Sequence, residues 1–495
     1  MARQILSEPS RTLMEYRLLP RYTSPDSVME KVSLRTPLVR IPDSDTFLFL
    51  NVPVTVAAMQ AVSSPRMGIE AAKCGAVAFL CCSQHLEGQA DMVAQVKRHK
   101  AGFVVPRTVH PQMTIAELHG MRKETGFSTF PVVDEKHRLA GMIGTNDYDA
   151  KRQASLSVRE RMIPLERLEY GVGISDLHKA NNLLVESHQG ALPIVDSDMT
   201  LRYLVFRKDI QDHLDNPLQV VDGDKRLLAG AAVNTHDYEK RVPALVEAGV
   251  DVLLIDSSDG HSCFQERALR WIHGSYPQLP VMGGNVVTGD GFEFLVHAGA
   301  SAVKVGMGSG TICITQEQKG TGRGLASALI DVVKARDRYH EVTGIYIPVI
   351  ADGGIINARD IVMALALGAD SVMMGRYFAR MDEAPSEKVT VNNRVMKPYW
   401  GEGSARARQW KEVRYHQFAF PEGVEGFVEY AGRLRDTLGE TMSKVKAAMA
   451  TCGVSTLAEL HREALVEPVS AMAMREGNVH NITMLSAENT FTATT

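Results

Sequence analysis

The stretch AGVDVLLIDSSDG at residues 248–260 decides the fold. An alanine and a glycine close the segment before it, an unbroken apolar run follows, and the stretch ends in carboxylates and hydroxyls. Glycine at the end of a helix, just ahead of an apolar run, is what a helix-to-strand connection in a parallel sheet needs. A strand with no alternation of polar and apolar residues is covered on both faces. The same turn recurs at Cys74-Gly75-Ala76, Ala298-Gly299-Ala300 and Leu367-Gly368-Ala369. Working outward, eight apolar runs read as strands: 47–56, 76–82, 227–233, 251–258, 280–286, 301–308, 348–354 and 370–375. Amphipathic segments precede most of them. The fold class is therefore α/β, and eight alternating strands predict a (β/α)8 TIM barrel rather than an open doubly wound sheet.

The rhythm stops between about 95 and 222, where the chain carries an internal repeat. FPVVD at 130–134 precedes LAGMIGTNDY at 139–148, and LPIVD at 192–196 precedes LRYLVFRKDI at 201–210, a constant offset of 62. Each copy reads as a strand, an acidic turn, a second strand and a helix opened by aspartate. Paired copies would bury each other's apolar faces, either as a structural insertion or as a ligand-sensing module. The expected organisation is a first barrel part (1–94), an inserted domain (95–222) and a second barrel part (223–495). Beyond the eighth strand, VTVNNRVMK (389–397) signals a hairpin across Asn392-Asn393 and leads into YWGEGSARARQW (399–410). This is an excursion of the length that flaps use, about 385–420. Residues 425–449 read as a final helix with Leu434, Leu438, Met442, Val445 and Met449 on one face.

Bulk properties exclude several classes. Of 495 residues, 45% are hydrophobic and 23% charged, with a formal net charge of −4. That balance gives no basic surplus for nucleic acid or an anionic membrane. No apolar run is long enough to span a membrane, and the charged N-terminus lacks a secretory signal's core. Six cysteines (Cys74, Cys81, Cys82, Cys263, Cys313, Cys452) make no disulfide framework and no zinc-like spacing. A reducing, cytoplasmic location is the default.

Reactive residues of a barrel lie at the C-terminal ends of its strands. Asp256-Ser257-Ser258 follows the fourth strand, Gly283-Gly284-Asn285 the fifth, Asp352-Gly353-Gly354 the seventh and Gly375-Arg376 the eighth. After the sixth comes GMGSGTICITQEQKGTGRG (306–324), a cysteine between glycine clusters. A free cysteine is ordinarily an inert small hydrophobe, and Cys81 and Cys82, inside an apolar strand, have that reading. Cys313 differs, because a polar, glycine-rich loop can favour a thiolate. The turns after the last two strands suit phosphate, with Arg376 adding a charge-assisted pair of bonds. Asp352 is placed to accept from ribose hydroxyls. From the residues alone, the chain reads as a barrel enzyme with a cysteine nucleophile acting on a phosphorylated ligand.

GSGTICITQE resembles the cysteine-bearing signature of inosine 5′-monophosphate (IMP) dehydrogenases, and the resemblance runs along nearly the whole chain. DSSDGHS (256–262), GGNV (283–286), ADGGI (351–355), MGR (374–376), YWGEGS (399–404), Arg414-Tyr415, EGV (422–424) and EGNVH (476–480) all take part. The repeat is similar to that family's paired cystathionine-β-synthase-type (CBS) motifs. The QKGTGRG continuation and the flap look most like the divergent protist enzymes. The resemblance implies NAD-dependent oxidation of IMP to xanthosine 5′-monophosphate (XMP) in guanine nucleotide biosynthesis. Cys313 would attack C2, hydride would pass to NAD, and a thioimidate on Cys313 would remain. Water activated by Arg414, helped by Tyr415 and Thr315, would hydrolyse it after the flap enters the vacated dinucleotide position.

The resemblance assigns further roles. Thr311, Gly353, Gly354, Gly375, Arg376 and Tyr399 would hold phosphate, and Asp352 the ribose. Backbone groups of Glu402 and Gly403, with the Glu422 side chain, would address the base. Asp256, Ser257, Ser258, Asn285 and Gly306 would face NAD. Carbonyls of Gly308, Gly310 and Cys313 would bind potassium, completed by Glu476, Gly477 and Asn478 of a neighbouring subunit in a homotetramer. An adenine or guanine nucleotide would be the effector of the CBS pair. The chain departs from the family at Thr311 (serine), Asn478 (glycine) and Val56, where a hydroxyl is missing. Asparagine at 478 would suit a turn of positive φ less well than glycine. The glycines at 320–324 read as mobility for the exchange of flap and NAD. Two other readings stand beside this one. One is the NADPH-dependent reductase of guanosine 5′-monophosphate (GMP), which has no use for a hydrolytic base; the other is a catalytically dead nucleotide-binding barrel.

Overall fold

The computed structural model describes residues 5–98, 103–104, 106–174, 177–207, 215–407 and 420–480. Eight parallel strands close into a barrel. They are β1 (Val54–Val56), β2 (Val77–Leu80), β3 (Gly230–Val233), β4 (Val252–Ile255), β5 (Val281–Val286), β6 (Ala302–Val305), β7 (Val349–Asp352) and β8 (Ser371–Met374). Closure runs through β8 against β1 and β2 against β3. The outer helices are α1 (Pro65–Lys73), α2 (Leu86–Lys97), α3 (Tyr238–Glu247), α4 (Cys263–Ser275), α5 (Gly289–His297), α6 (Leu325–Thr343), α7 (Ala358–Ala366) and α8 (Leu434–Thr451). Strand and helix side chains share one continuous apolar core from Leu13 to Leu460.

The repeated glycine turns explain how each helix hands over to its strand. Gly75, Gly249, Gly299 and Gly368 all have φ between 90° and 103°. In each, the glycine N–H bonds three residues back and the next N–H bonds five residues back, as in Ala76 to Ala71 and Val250 to Leu245. These are Schellman caps, which satisfy the last carbonyls of the helix and need a residue free to adopt positive φ.

Several sequence expectations are corrected here. The run 47–56 is two strands: Phe47–Leu50 pairs antiparallel with Thr36–Arg40, and only Val54–Val56 enters the barrel. Pro53, which has no N–H to donate, separates them. Gly283, Gly284 and Asn285 lie within β5 rather than after it, and the ladder with β6 shifts register there. Residues 425–429 form a strand against Arg394–Trp400, so the predicted helix begins only at Leu434, and it is not the last. The expected hairpin is present, with Asn392 and Asn393 at φ 50° and 61°.

Between α2 and β3 the chain leaves the barrel. Val96 still lies in the barrel core, and the chain rejoins that core at Val220. The 62-residue offset is structural. Leu139 N–H donates to Met199 O, and Leu201 N–H donates to His137 O, an exchange with two-fold character. The parallel pairing of Val109 with Val132 recurs as Gly171 with Ile194. Val133, Leu139 and Met142 of one copy share a core with Ala191, Val195, Leu201 and Leu204 of the other. In each copy a helix precedes the strand pair, at Ile115–Thr125 and Leu177–Glu186. Asp147 opens no helix; its carboxylate instead accepts from Gly144 N–H in a turn. Asp209 lies outside the described residues.

Candidate active site

The C-terminal ends of β4 to β8 surround one cleft, and the loop after β6 forms its floor. Cys313 is partly exposed there, with its Sγ 3.0 Å from Thr315 Oγ1. Thr315 opens the short helix Thr315–Lys319, is buried, and donates to Glu422 Oε2 at 3.1 Å. Lys319 Nζ stands 2.6 Å from the other oxygen, Oε1. The main chain stitches these parts together. Ile314 N–H donates to Glu422 O, Val424 N–H to Ile312 O, Glu422 N–H to Gly403 O and Gly401 N–H to Val424 O. Residues 312–314 therefore lie beside 422–424, which lie beside 401–403.

Glu402 is nearly buried, at 8% exposure, and is held from the first two strand ends. Its carboxylate accepts from Gln60 N–H at 2.6 Å and from the Ser83 hydroxyl. Trp400 Nε1 donates to Gln60 Oε1. A buried carboxylate with two donors has a fixed direction, which leaves the backbone of Glu402 and Gly403 facing the cleft.

Asp352, at the end of β7, accepts from Lys304 Nζ at 2.6 Å and from Asn285 Nδ2 at 3.0 Å. Asn285 also donates to Gly306 O, while its Oδ1 is buried and unpartnered. Gly306, Gly353 and Gly354 all have positive φ. A β-carbon on Gly306 would stand 2.0 Å from Asp352 O, and one on Gly353 would stand 2.4 Å from Ser309 Oγ. Tyr399 is buried against Gly375, where an added β-carbon would lie 2.9 Å from its hydroxyl. Burial pushes the Tyr399 phenol up from its ordinary range, and the charge of Asp352 adds to this, so its hydroxyl stays a donor.

Of the sequence candidates, Asp256, Ser257, Ser258, Asn285, Gly306, Gly308, Gly310, Thr311, Cys313, Thr315, Asp352, Gly353, Gly354, Gly375, Arg376, Tyr399, Glu402, Gly403 and Glu422 all line this cleft. Arg414 and Tyr415 lie outside the described residues. Glu476, Gly477 and Asn478 do not line their own chain's cleft. They end the helix Ala471–Glu476. Asn478 does not have positive φ, and its side chain donates to Met474 O.

Lys304, Lys319, Gln60 and Ser83 escaped the sequence reading. Lys304 carries its own signal, a lysine inside the buried run SAVKVGMG. The glycines at 320–324 each meet a local conformational or steric demand. Gly320 caps Thr315–Lys319 in the left-handed region. Gly322 leaves room for Gln316, and Gly324 for the backbone of Arg11.

The residues fit the two groups expected here. The unpartnered Asn285 Oδ1 and the open glycine backbone suit a ligand that brings N–H groups close to the chain. The Gly308, Gly310 and Cys313 carbonyls are neutral oxygen donors, suited to a monovalent cation more than to a transition metal. Among the described residues no cluster of histidine, cysteine or carboxylate side chains could hold a metal.

Comparison with known proteins identifies the family. The IMP dehydrogenase / GMP reductase domain profile matches residues 10–480. The chain is 44% identical to the inosine-5′-monophosphate dehydrogenase of Tritrichomonas foetus over 96% of its length and 97% of that protein. It is 37% identical to the Escherichia coli K12 enzyme of that name, over 88% of this chain and 90% of the other. Among solved structures it is similar to a GMP reductase from Trypanosoma brucei in complex with guanosine 5′-monophosphate. That match has a TM-score of 0.77 and 27% identity, and covers 96% of this chain and 99% of the other.

Proposed function

The chain belongs to the family of IMP dehydrogenases and GMP reductases, and from that premise we propose that it oxidises IMP to XMP with NAD. The observation that carries this is the Cys313 thiol on the cleft floor, 3.0 Å from the Thr315 hydroxyl. Cys313 adds as thiolate to C2 of the hypoxanthine, and the C2 hydrogen leaves as hydride. NAD, when bound, supplies the acceptor. The product on the enzyme is a thioimidate between C2 and Cys313 Sγ. Water then attacks C2, the C2–S bond breaks, the thiolate returns, and one proton is released with XMP.

The remaining roles follow the same orientation. Asp352, held by Lys304 and Asn285, accepts from the ribose hydroxyls. Thr311, Gly353, Gly354, Gly375, Arg376 and Tyr399 bind phosphate through N–H, hydroxyl and guanidinium donors. Glu402, Gly403 and Glu422 address the base. Asp256, Ser257, Ser258, Asn285 and Gly306 face the nicotinamide side. Arg414 of the flap activates water, helped by Tyr415 and Thr315. Carbonyls of Gly308, Gly310 and Cys313 hold potassium, completed by Glu476, Gly477 and Asn478 of a neighbouring subunit in a homotetramer. Residues 95–222 are a CBS pair that takes an adenine or guanine nucleotide as effector. The location proposed is cytoplasmic; among the described residues no helix is long and apolar enough to cross a membrane.

Purified protein with IMP and NAD, followed by NADH absorbance, tests the reading, and the rate rises when potassium is added. NADPH consumption with GMP, and no NADH from IMP, would establish the reductase instead.

A further inference from the structure

We propose that Lys319 is a positioning residue for the hydrolytic half of the reaction, acting through Glu422 on the Thr315 hydroxyl. The inference rests on the dehydrogenase reading and adds to it a residue that the signature motifs do not assign. Thr315 and Lys319 are the first and last residues of one short helix, four positions apart and so on one face. Both reach the same carboxylate, Thr315 at Oε2 (3.1 Å) and Lys319 at Oε1 (2.6 Å). Glu422 cannot slide away from them. Its N–H is tied to Gly403 O and its carbonyl to Ile314 N–H.

The Thr315 hydroxyl has one proton and two acceptors in reach, Cys313 Sγ at 3.0 Å and Glu422 Oε2 at 3.1 Å. Its direction decides what it offers to the reacting centre. If the proton points at Glu422, the oxygen lone pairs face Cys313 and can accept from a water approaching C2. If Glu422 turns away, the proton points at sulfur and the lone pairs are lost to water. A sulfur already bonded to C2 is a weak acceptor, whereas a carboxylate is a strong one. The outcome therefore depends on Glu422 keeping Oε2 toward Thr315.

Glu422 is only 7% exposed, so its charge needs a partner. Lys319 supplies one and reaches it from solvent, with its side chain about one-third exposed. Removing the ammonium frees the carboxylate to rotate and leaves the main-chain bonds from Ile314 to Glu422 and from Val424 to Ile312 in place. The role therefore belongs to hydrolysis. Hydride transfer depends on Lys319 only through the contact of Glu422 with the base, so the two halves are compared at saturating IMP.

Rapid mixing with IMP and NAD separates the two halves, because the first NADH reports hydride transfer and the steady state includes hydrolysis. Lys319→Met and Lys319→Gln are expected to keep the first-turnover rate within about twofold and to lower the steady-state rate about tenfold. Intact-mass measurement during turnover should then find the Cys313 adduct accumulating. Lys319→Arg should restore the steady-state rate. A proportionate fall of both phases in the Met and Gln variants, or an unchanged steady state, overturns the proposal. A wild-type protein that forms no NADH from IMP overturns the dehydrogenase reading and this inference with it, and that result differs from a variant whose two phases fall together.

Discussion

Lys304 on β6 and Asp352 on β7 meet across neighbouring barrel strands, ammonium to carboxylate, at 2.6 Å. The lysine side chain is 4% exposed and the aspartate side chain 22%. The pair fixes the carboxylate that faces the nucleotide, and Asn285 reaches the same oxygen from β5.

Lys304→Met should therefore act on both stability and binding. Removing one partner of a largely buried pair costs about 2 to 4 kcal/mol, reduced from the fully buried value because Asp352 is partly solvated. Urea unfolding would measure the loss. The KM for IMP should rise in the folded fraction, since the unpaired carboxylate loses its direction. An unchanged unfolding midpoint would count against the pair as a structural element.

Gly306→Ala tests the closest backbone approach in the site. The new methyl would meet Asp352 O at 2.0 Å, at a φ of 138° that side chains rarely adopt. Overpacking of this kind costs about 1 to 3 kcal/mol, and positive φ adds to it. Activity should fall further than the thermal midpoint suggests, because β6 and β7 must part where Asp352 sits. Turnover equal to wild type would refute this.

The cysteines should separate by reactivity. Burial, with Glu70 nearby, pushes the Cys74 thiol up to about 12, and burial likewise raises Cys452. A raised thiol stays protonated through neutral pH, and only the thiolate alkylates, so labelling of Cys74 should stay slow until the pH approaches that value. Cys81 and Cys82 are buried. Iodoacetamide near pH 8 should therefore modify exposed Cys263 and partly exposed Cys313 first. IMP should protect Cys313 and leave Cys263 unaffected. Peptide mass mapping reads both, and rapid labelling of Cys74 would contradict the burial argument.

The segment between α2 and β3 should be dispensable for catalysis. Its apolar clusters draw only on residues 109–206, and the barrel core contains none of them. Its two ends meet where Lys97 Nζ bonds Asp222 Oδ2 at 2.8 Å. A chain with residues 99–214 replaced by a short glycine-serine linker should keep NADH formation from IMP and lose any response to added nucleotides. Loss of folding on excision would show that the barrel depends on the segment.

The barrel was legible because a helix cap must announce itself locally. Gly75, Gly249, Gly299 and Gly368 mark four of its turns, and no other residue takes that φ so easily. Cys313 and the turns after β4, β7 and β8 were legible for a similar reason, since each chemistry is confined to one loop. What stayed hidden depends on partners far apart in sequence. Nothing near Glu402 announces Gln60 or Ser83, and nothing near Cys313 announces the Glu422 backbone. What Gly322 and Gly324 accommodate, the side chain of Gln316 and the backbone of Arg11, is invisible to local composition. The helix expected to open at Asp147 is absent, because an aspartate can close a turn as readily as it opens a helix.

The pairing of 312–314 with 422–424, and of those with 401–403, separates what can vary from what cannot. The ladders are built by 401–403 and 422–424, the two feet of the excursion, and an engineer can exchange what joins them. The two feet are different. A single residue inserted at 402 or 423 would turn alternate side chains to the opposite face and carry the error through the ladder to the sulfur. Flap chimeras should therefore be joined outside the feet, since the placement of the nucleophile is inherited from a segment about a hundred residues downstream.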